Sequence, residues 1–517
     1  MVPHAGIQRA DGRPLNAHVT TIGPTPLPAF LRLPRELRDI IYEQYVYEDG
    51  GYVYNPETDK FANTDGSPIT LSLSLVCRQL ASELKGVAFR CNTLTFRTSF
   101  SEKSREDAGM HHAIVTKIAW RKKEAVRIFA PRLFTSEMAR VATNAHPQFS
   151  PVLDGWSMRS QPELEVLTKQ DVYCGEAPSM WRDCLDTVLR QISRHSDFNT
   201  TLLEESRTRP RRWIPDNDNQ MSRLIEANPT PWRILDRAER DELAVVAQAE
   251  PKYPHYKERT KYTYSAASLA LRFLKLLPDS DLKAIRNIKL LEEHESVAHS
   301  ECHGRGFIEI CRQYPKICIQ RFANLWKTVF PVSLVSRLDY SSFNEDGVDG
   351  SMFSRDRLAA NDITYAVGKW LTEASILPLL GMPHGRFTLI LDGKPTPNYM
   401  TKIFEVVQRD MAFQDALDAA YTSGSLPSPT WLNRRLQTGY MFERLPDIIR
   451  SLSIDSLLVR CSFDPGQAHD VGEMVEKRHG WSLRDWKESW DRNSPRKYQT
   501  EAPLPPWHEL RWQYVIV

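Results

Sequence analysis

FTLILDG, residues 387–393, is an apolar run of strand length closed by Asp392-Gly393, and Tyr399 to Tyr421 follows it with helical spacing. A short apolar run, a turn dipeptide and then a helix form the repeating unit of an α/β layer. Upstream, Leu269 to Leu277 reads as a helix and Ala284 to Leu291 (AIRNIKLL) as a strand, with helical segments expected from there through Phe330. Downstream, Ser456 to Phe463 (SLLVRCSF) reads as a strand, Asp470 to Trp490 as one helix and Trp512 to Val517 (WQYVIV) as a last strand. Residues 263–517 are therefore expected to be an α/β region of alternating strands and helices. No fixed period of about 20–29 residues marks a leucine-rich solenoid.

Residues 101–262 are less regular. Ile114 to Trp120 has the composition of a strand, and Trp181 to Ile192 and Glu239 to Ala249 read as helices. Ser206 to Gln220 and Glu250 to Tyr262 are polar and proline-bearing, each a surface loop or an interdomain boundary. Residues 29–100 read as a helical module. Pro34 stands near a helix start, where its missing N–H costs nothing, and Leu33, Leu37, Ile40, Ile41 and Tyr45 form an apolar stripe expected to face a core. Asp49-Gly50-Gly51 ends that helix, and Tyr52 to Pro68 reads as an irregular excursion. A second helix carries Leu73, Val76, Cys77, Leu80, Leu84 and Val87, and Asn92 to Arg97 (NTLTFR) alternates as a short strand. Residues 1–28 read as a flexible tail. The expected class is mixed α+β, in two or three domains for 517 residues.

A hydrophobic fraction of 41% and a charged fraction of 26% exclude extensive disorder. A net charge of +2 gives no reason to expect nucleic acid as the main partner. No run of about eighteen apolar residues suggests a membrane span, and the first residues lack the apolar core of a secretory signal. Eight scattered cysteines without a C-x-x-C pair fit reduced thiols, hence the cytoplasm or nucleus.

LPRELRDIIY (33–42), LVCRQL (75–80) and NTLTF (92–96) together resemble the F-box-like domain of filamentous fungi. That domain pairs an L-P-x-E-[LI]-R-x-x-[IV]-[YF] helix with a C-R-Q helix and a short strand. The resemblance implies docking on the Skp-type adaptor of a cullin ubiquitin ligase, with the C-terminal region holding a protein substrate. It places Leu33, Pro34, Leu37, Ile41, Val76 and Cys77 at or under the adaptor-facing surface. The stretch between the two helices is longer than in a standard F-box, and Leu80 stands near the place of an aromatic residue. Two other readings of the same stripes remain: a helical hairpin closing its own core, and a groove for another partner. RNIKLLEEHESVAHSECHGRGFIEICRQYP and RFTLILDGKP resemble stretches of uncharacterised fungal proteins, a resemblance that implies no activity.

The densest candidate for chemistry is His294-Glu295-Ser296-Val297-Ala298-His299-Ser300-Glu301-Cys302-His303. His294 and His299 are five apart, about 140° around a helix. His299 and His303 have zincin spacing, but Glu301 stands where neither zincin motif wants its acid. A site using Cys311 or Cys318 matches no standard finger or ribbon. Asp392-Gly393 is a turn signal as much as an active-site carboxylate. No phosphate loop, nucleophile elbow or kinase signature occurs. Arg207 to Trp213 (RTRPRRW) is a basic run, read as a solvated loop or a nuclear import signal, and Trp486 and Trp490 share a helix face. The sequence therefore points to an interaction protein with no catalytic residues and no cofactor. The alternatives are a binding protein with no ligase role, a single compact α+β unit, and a metal-dependent hydrolase. The hydrolase requires His294, His299, Cys302, His303 and Asp392 to converge.

Overall fold

Six parallel strands align their apolar residues in register. A computed structural model describes residues 29–169, 172–208, 218–249, 260–331, 358–452, 457–493 and 496–512. Its strands are β1 (Tyr52–Asn55), β2 (Lys60–Asn63), β3 (Thr93–Arg97), β4 (Asn287–Glu292), β5 (Cys318–Asn324), β6 (Leu358–Ala359), β7 (Phe387–Asp392), β8 (Val459–Cys461) and β9 (Lys497–Tyr498). Seven of them form one sheet in the order β2-β1-β3-β4-β5-β7-β8, parallel throughout except for the β1–β2 hairpin. β6 and β9 pair separately. The fold is mixed α/β.

On one face the rows run Leu94–Ile288–Ile319–Phe387, then Phe96–Leu290–Arg321–Leu389–Val459, then Glu292–Ala323–Leu391–Cys461. Helices Ala266–Leu276 and Ala360–Ser375 share one apolar cluster with this face. The other face carries Thr95–Lys289–Gln320–Thr388 and Arg97–Leu291–Phe322–Ile390–Arg460, with Gln320 exposed and Phe322 half-buried. Parallel strands covered on both faces read as continuous apolar runs; here one face is mixed, so the pattern alternates.

Two charges interrupt the apolar face at its centre. Glu292 and Arg321 are both fully buried, 2.8 Å apart at Nη2 and 2.9 Å at Nε. The Glu292 carboxylate also accepts the Ala266 N–H at 2.9 Å and the Ala267 N–H at 3.3 Å. Those groups open a helix, where unpaired N–H groups and the dipole both favour a negative charge. Arg321 donates to the Ser300 carbonyl at 2.7 Å and lies 4.6 Å over the Trp370 ring. Thr328 donates to the Glu292 carbonyl at 2.7 Å. One ion pair thus links β4, β5, two helices and the turn at Ser300–Phe307. A buried pair survives only when its remaining donors and acceptors are satisfied in this way.

A second apolar cluster is helical. It is built from residues between Ala113 and Ala249, with Leu432. Its longest helix, Glu102–Leu133, contains the Ile114 to Trp120 segment expected as a strand. β-branched residues suggest a strand over seven positions. The buried set Ile114, Ile118, Lys122, Ala125, Val126, Phe129 and Leu133 shows the helical period only over a longer span. β5 corrects the expectation of helices through Phe330: its Gln320-Arg321 pair hides a strand whose arginine is buried. Tyr52 to Pro68 is not an irregular excursion but contains the β1–β2 hairpin. Gly51 opens it at φ +73°, and a Cβ there would meet the Thr93 carbonyl oxygen at 2.2 Å.

The single helix expected over Asp470 to Trp490 is two, Val471–Glu476 and Leu483–Asn493. Trp486 and Trp490 of the second are buried against Phe413. Trp512 ends a helix, Trp507–Trp512, and 513–517 lie outside the described residues. So do the tail at 1–28, most of the basic run at 207–213, and the greater part of the two loop segments expected at 206–220 and 250–262.

Arg321→Met leaves the buried Glu292 carboxyl without its cation. It is expected to lower the unfolding free energy by about 3–5 kcal/mol in urea titrations. Glu292→Leu combined with Arg321→Met is expected to cost less than Arg321→Met alone. A larger loss in the double variant contradicts the argument.

Candidate functional site: a partner-binding surface

The helices of residues 29–91 enclose a small core of Tyr42, Val46, Leu80, Leu84 and Val87. Helix Arg35–Val46 buries Arg38, Tyr42 and Val46, one turn apart each. The expected orientation is corrected here: Leu37, Ile40 and Ile41 are exposed, and the arginine between them is inside. Arg38 forks onto Glu83, with Nε to Oε2 at 2.9 Å and Nη2 to Oε1 at 2.7 Å, and donates to the Leu33 carbonyl at 2.6 Å. Tyr42 donates to Glu83 Oε2 at 2.6 Å and Gln79 to Oε1 at 3.0 Å. A two-pronged guanidinium–carboxylate pair is a strong, directional contact. It fixes the rotation of the helix about its axis and turns the apolar stripe to the outside. Hydrogen bonds from Arg38 and Tyr42 hold the Glu83 carboxyl down to about 2.

The second segment is also divided. A 3-10 turn, Ser72–Leu75, precedes helices Arg78–Leu84 and Val87–Cys91. The Tyr45 hydroxyl meets Ser72 Oγ at 3.0 Å and accepts the Leu73 N–H at 3.2 Å. The turn at 72–75 thus packs on Tyr45, one helical turn beyond Ile41. Leu75 is 86% exposed and Val76 69%. Leu71 is exposed as well. Of the sixteen exposed large hydrophobic side chains among the described residues, seven lie between Leu37 and Val76. Scattered surface apolar residues need no explanation, whereas a concentration of them marks an interaction surface.

This surface is held to the sheet rather than hung from it. Asn92 is buried; its Nδ2 donates to the Val46 carbonyl at 2.8 Å and its Oδ1 accepts the Glu48 N–H at 2.9 Å. The Tyr52 hydroxyl donates to the Val46 carbonyl at 2.7 Å. β1, β2 and β3 then enter the seven-stranded sheet beside β4.

Among the six residues named from the sequence, Pro34, Leu37, Ile41 and Val76 are exposed, Leu33 is half-buried, and Cys77 is half-buried against the small core. Leu71 and Leu75 were not among them. They lie outside the periodic part of the second segment, and only their exposure on the turn assigns them to the surface.

The histidine cluster does not converge. His303 is fully buried: its Nε2–H donates to the Ala298 carbonyl at 2.9 Å, and Nδ1 faces the hydroxyls of Ser265 at 2.7 Å and Ser268 at 3.2 Å. Burial holds this ring neutral. His299 follows Ala298 in a left-handed backbone, φ 59° and 61°, with Nδ1 3.7 Å from Glu301. Burial and the Arg182 charge lower its affinity for a proton. The Cys302 thiol accepts from Arg182 Nη2 at 3.6 Å, and burial pushes it up. His294 lies in the loop after β4, its N–H on Thr98 Oγ1 at 3.1 Å. Asp392 accepts from Ser462 Oγ at 2.7 Å and from the Lys394 N–H at 3.2 Å, which makes it a turn residue. Among the described residues no group of three or more His, Cys, Asp or Glu side chains is placed to hold a metal ion. Among the described strands, the parallel ones follow one another across the sheet in one direction, without the reversal at which α/β proteins open a ligand crevice.

No helix among the described residues is long and apolar enough to cross a membrane. Comparison with family models, curated proteins and solved structures gives no match to this chain.

The depressed Glu83 carboxyl sets a pH test of the surface's support. Its contribution to stability is complete above about pH 4.5 and lost as pH falls toward about 2, the value to which it is held. Amide exchange in helix Arg35–Val46 is expected to quicken over that interval in the native chain. In Glu83→Gln it is expected to be fast already at neutral pH and to change less on acidification.

Proposed function

We propose that the chain is a protein-interaction receptor whose N-terminal helices dock a Skp-type adaptor and whose α/β region carries a protein substrate. The supporting observation is the outward exposure of Leu37, Ile40, Ile41, Leu75 and Val76. It lies on the two segments whose sequence resembles an F-box-like domain, the segments that meet the adaptor in that family. A helical hairpin that only closed its own core would turn those residues inward. Here the inward places are taken by Tyr42, Val46, Leu80 and Leu84. Arg38, Tyr42 and Glu83 satisfy one another beneath them, so the face needs no rearrangement before a partner reaches it.

An apolar face of this kind is matched by an amphipathic helix or helical groove on the partner, with a few side chains carrying most of the affinity. Leu75 and Val76 are the most exposed and are assigned as anchors, with Leu37 and Ile41 extending the contact by one turn of helix. The attachment of β1, β2 and β3 to the main sheet joins the docking surface rigidly to the rest of the chain. A receptor of this kind needs such rigidity if it is to present a substrate in a set direction.

The test is co-purification of the tagged full chain with the Skp-type adaptor, beside a Leu37→Asp, Val76→Asp double variant. Capture by the native chain and a loss of at least about tenfold in affinity in the variant is the expected result. Both positions are exposed, so the variant is expected to stay folded by circular dichroism. Failure of the native chain to capture the adaptor, or equal capture by the folded variant, overturns the proposal.

A further inference from the structure

The sheet layer and the helical layer meet at a buried carboxyl group. Glu373, on helix Ala360–Ser375, is 1% exposed. Its Oε1 accepts the Ser179 N–H at 2.7 Å and its Oε2 accepts the Ser179 hydroxyl at 2.7 Å. Ser179 stands in the first turn of helix Pro178–Ile192, whose Trp181, Cys184, Leu185 and Val188 belong to the second core. One layer therefore caps a helix of the other, at the end where N–H groups lack partners and the dipole favours negative charge.

The groups that face this carboxyl oppose one another. From helix Pro178–Ile192, Arg182 favours its charge; from the turn Ser300–Phe307, Glu301 disfavours it. Arg321 of β5 lines the same cavity as Glu301 and Glu373 but is engaged by Glu292. On its own helix, Lys369 lies one turn back with Nζ 4.6 Å from the Tyr365 ring centroid. The cavity measures about 10 Å³, room for one water. Arg182 Nη2 donates to Cys302 Sγ at 3.6 Å. The rest of the seam is held by Arg305 on Asp183 at 2.7 Å, the Glu443 N–H on the Gly175 carbonyl at 2.8 Å, and Arg435 on the Cys174 carbonyl at 3.0 Å.

We propose that Glu373 is a proton-sensitive joint between the two layers, closed when the carboxyl is neutral and loosened when it ionises. The neutral acid meets Ser179 without charge: its carbonyl oxygen accepts the N–H and its hydroxyl donates to Oγ. The carboxylate keeps both hydrogen bonds but places a charge in a buried site facing Glu301. Burial, opposed by Arg182 and by the two Ser179 hydrogen bonds, pushes the carboxyl up to about 7. A raised carboxyl favours the closed joint at low pH, and that advantage is lost as pH rises through about 7. Ionisation near neutrality makes the joint responsive within the range a cell can reach.

The measurement is amide exchange of residues 179–192 in the full chain, corrected for the intrinsic pH dependence of exchange. Opening is expected to become on the order of tenfold more frequent between about pH 5.5 and about pH 7.5. Glu373→Gln, which keeps an acceptor for the Ser179 N–H and cannot ionise, is expected to abolish that rise. Glu176, two residues before the helix, is also pushed up to about 7 by burial, so Glu176→Gln is the control, and the rise is expected to persist in it. A flat native profile, or the same rise in Glu373→Gln, overturns the proposal. If that variant does not fold, Glu301→Gln decides: removal of the facing charge is expected to shrink the rise, and an unchanged rise overturns the proposal.

Discussion

Glu292 and Arg321 meet on adjacent strands, on the face of the sheet that is otherwise apolar. Two charges in that position are tolerable only if every remaining donor and acceptor is used. The groups that satisfy them come from elsewhere: two N–H groups at the start of helix Ala266–Leu276, carbonyls of the turn at Ser300–Phe307, and the face of Trp370. An apolar pair would hold the two strands together without specifying what lies above them. The charged pair also specifies which helix end and which turn sit over the sheet, and at what depth. Ser265 caps that helix and faces His303, so the buried histidine belongs to the same arrangement and not to a reactive centre.

The same physics works at the front of the chain with the opposite consequence for the surface. Arg38 and Glu83 occupy the inward side of two short helical segments and are satisfied there by Tyr42, Gln79 and the Leu33 carbonyl. Polar groups inside leave Leu37, Ile40 and Ile41 outside. The apolar face is therefore a consequence of the ion pair beneath it, not of incomplete packing. Asn92 and Tyr52 bind the C-terminal end of the first helix to the sheet, which makes the small helical core an extension of the larger fold.

The sequence was legible where a single period governed a whole element. β4, β7 and helices Pro178–Ile192, Arg237–Ala247, Ala266–Leu276 and Pro397–Thr422 lie where periodicity places them. It misled where a buried charge stood in for an apolar residue. β5 was hidden by Arg321, and the rotation of the first helix by Arg38; in both, the informative partner is distant in the chain or on another element. The Ile114 to Trp120 segment failed for a different reason, since local β-branched composition outweighed a helical period visible only over thirty residues. For the candidate site, Leu37, Ile41 and Val76 stand out in the sequence, but their outward direction follows from the pairing of Arg38 with Glu83. Glu373 gave no signal, because its role depends on a helix start nearly two hundred residues away.

The central claim is that the outward face of residues 37–76 is where a partner helix is received. Amide exchange across the full chain, with and without saturating Skp-type adaptor, locates that contact directly. The account predicts new protection in helix Arg35–Val46 and in the segment from Leu71 to Leu84, with the α/β region unchanged. Protection that appears elsewhere, or none at saturating adaptor, contradicts it.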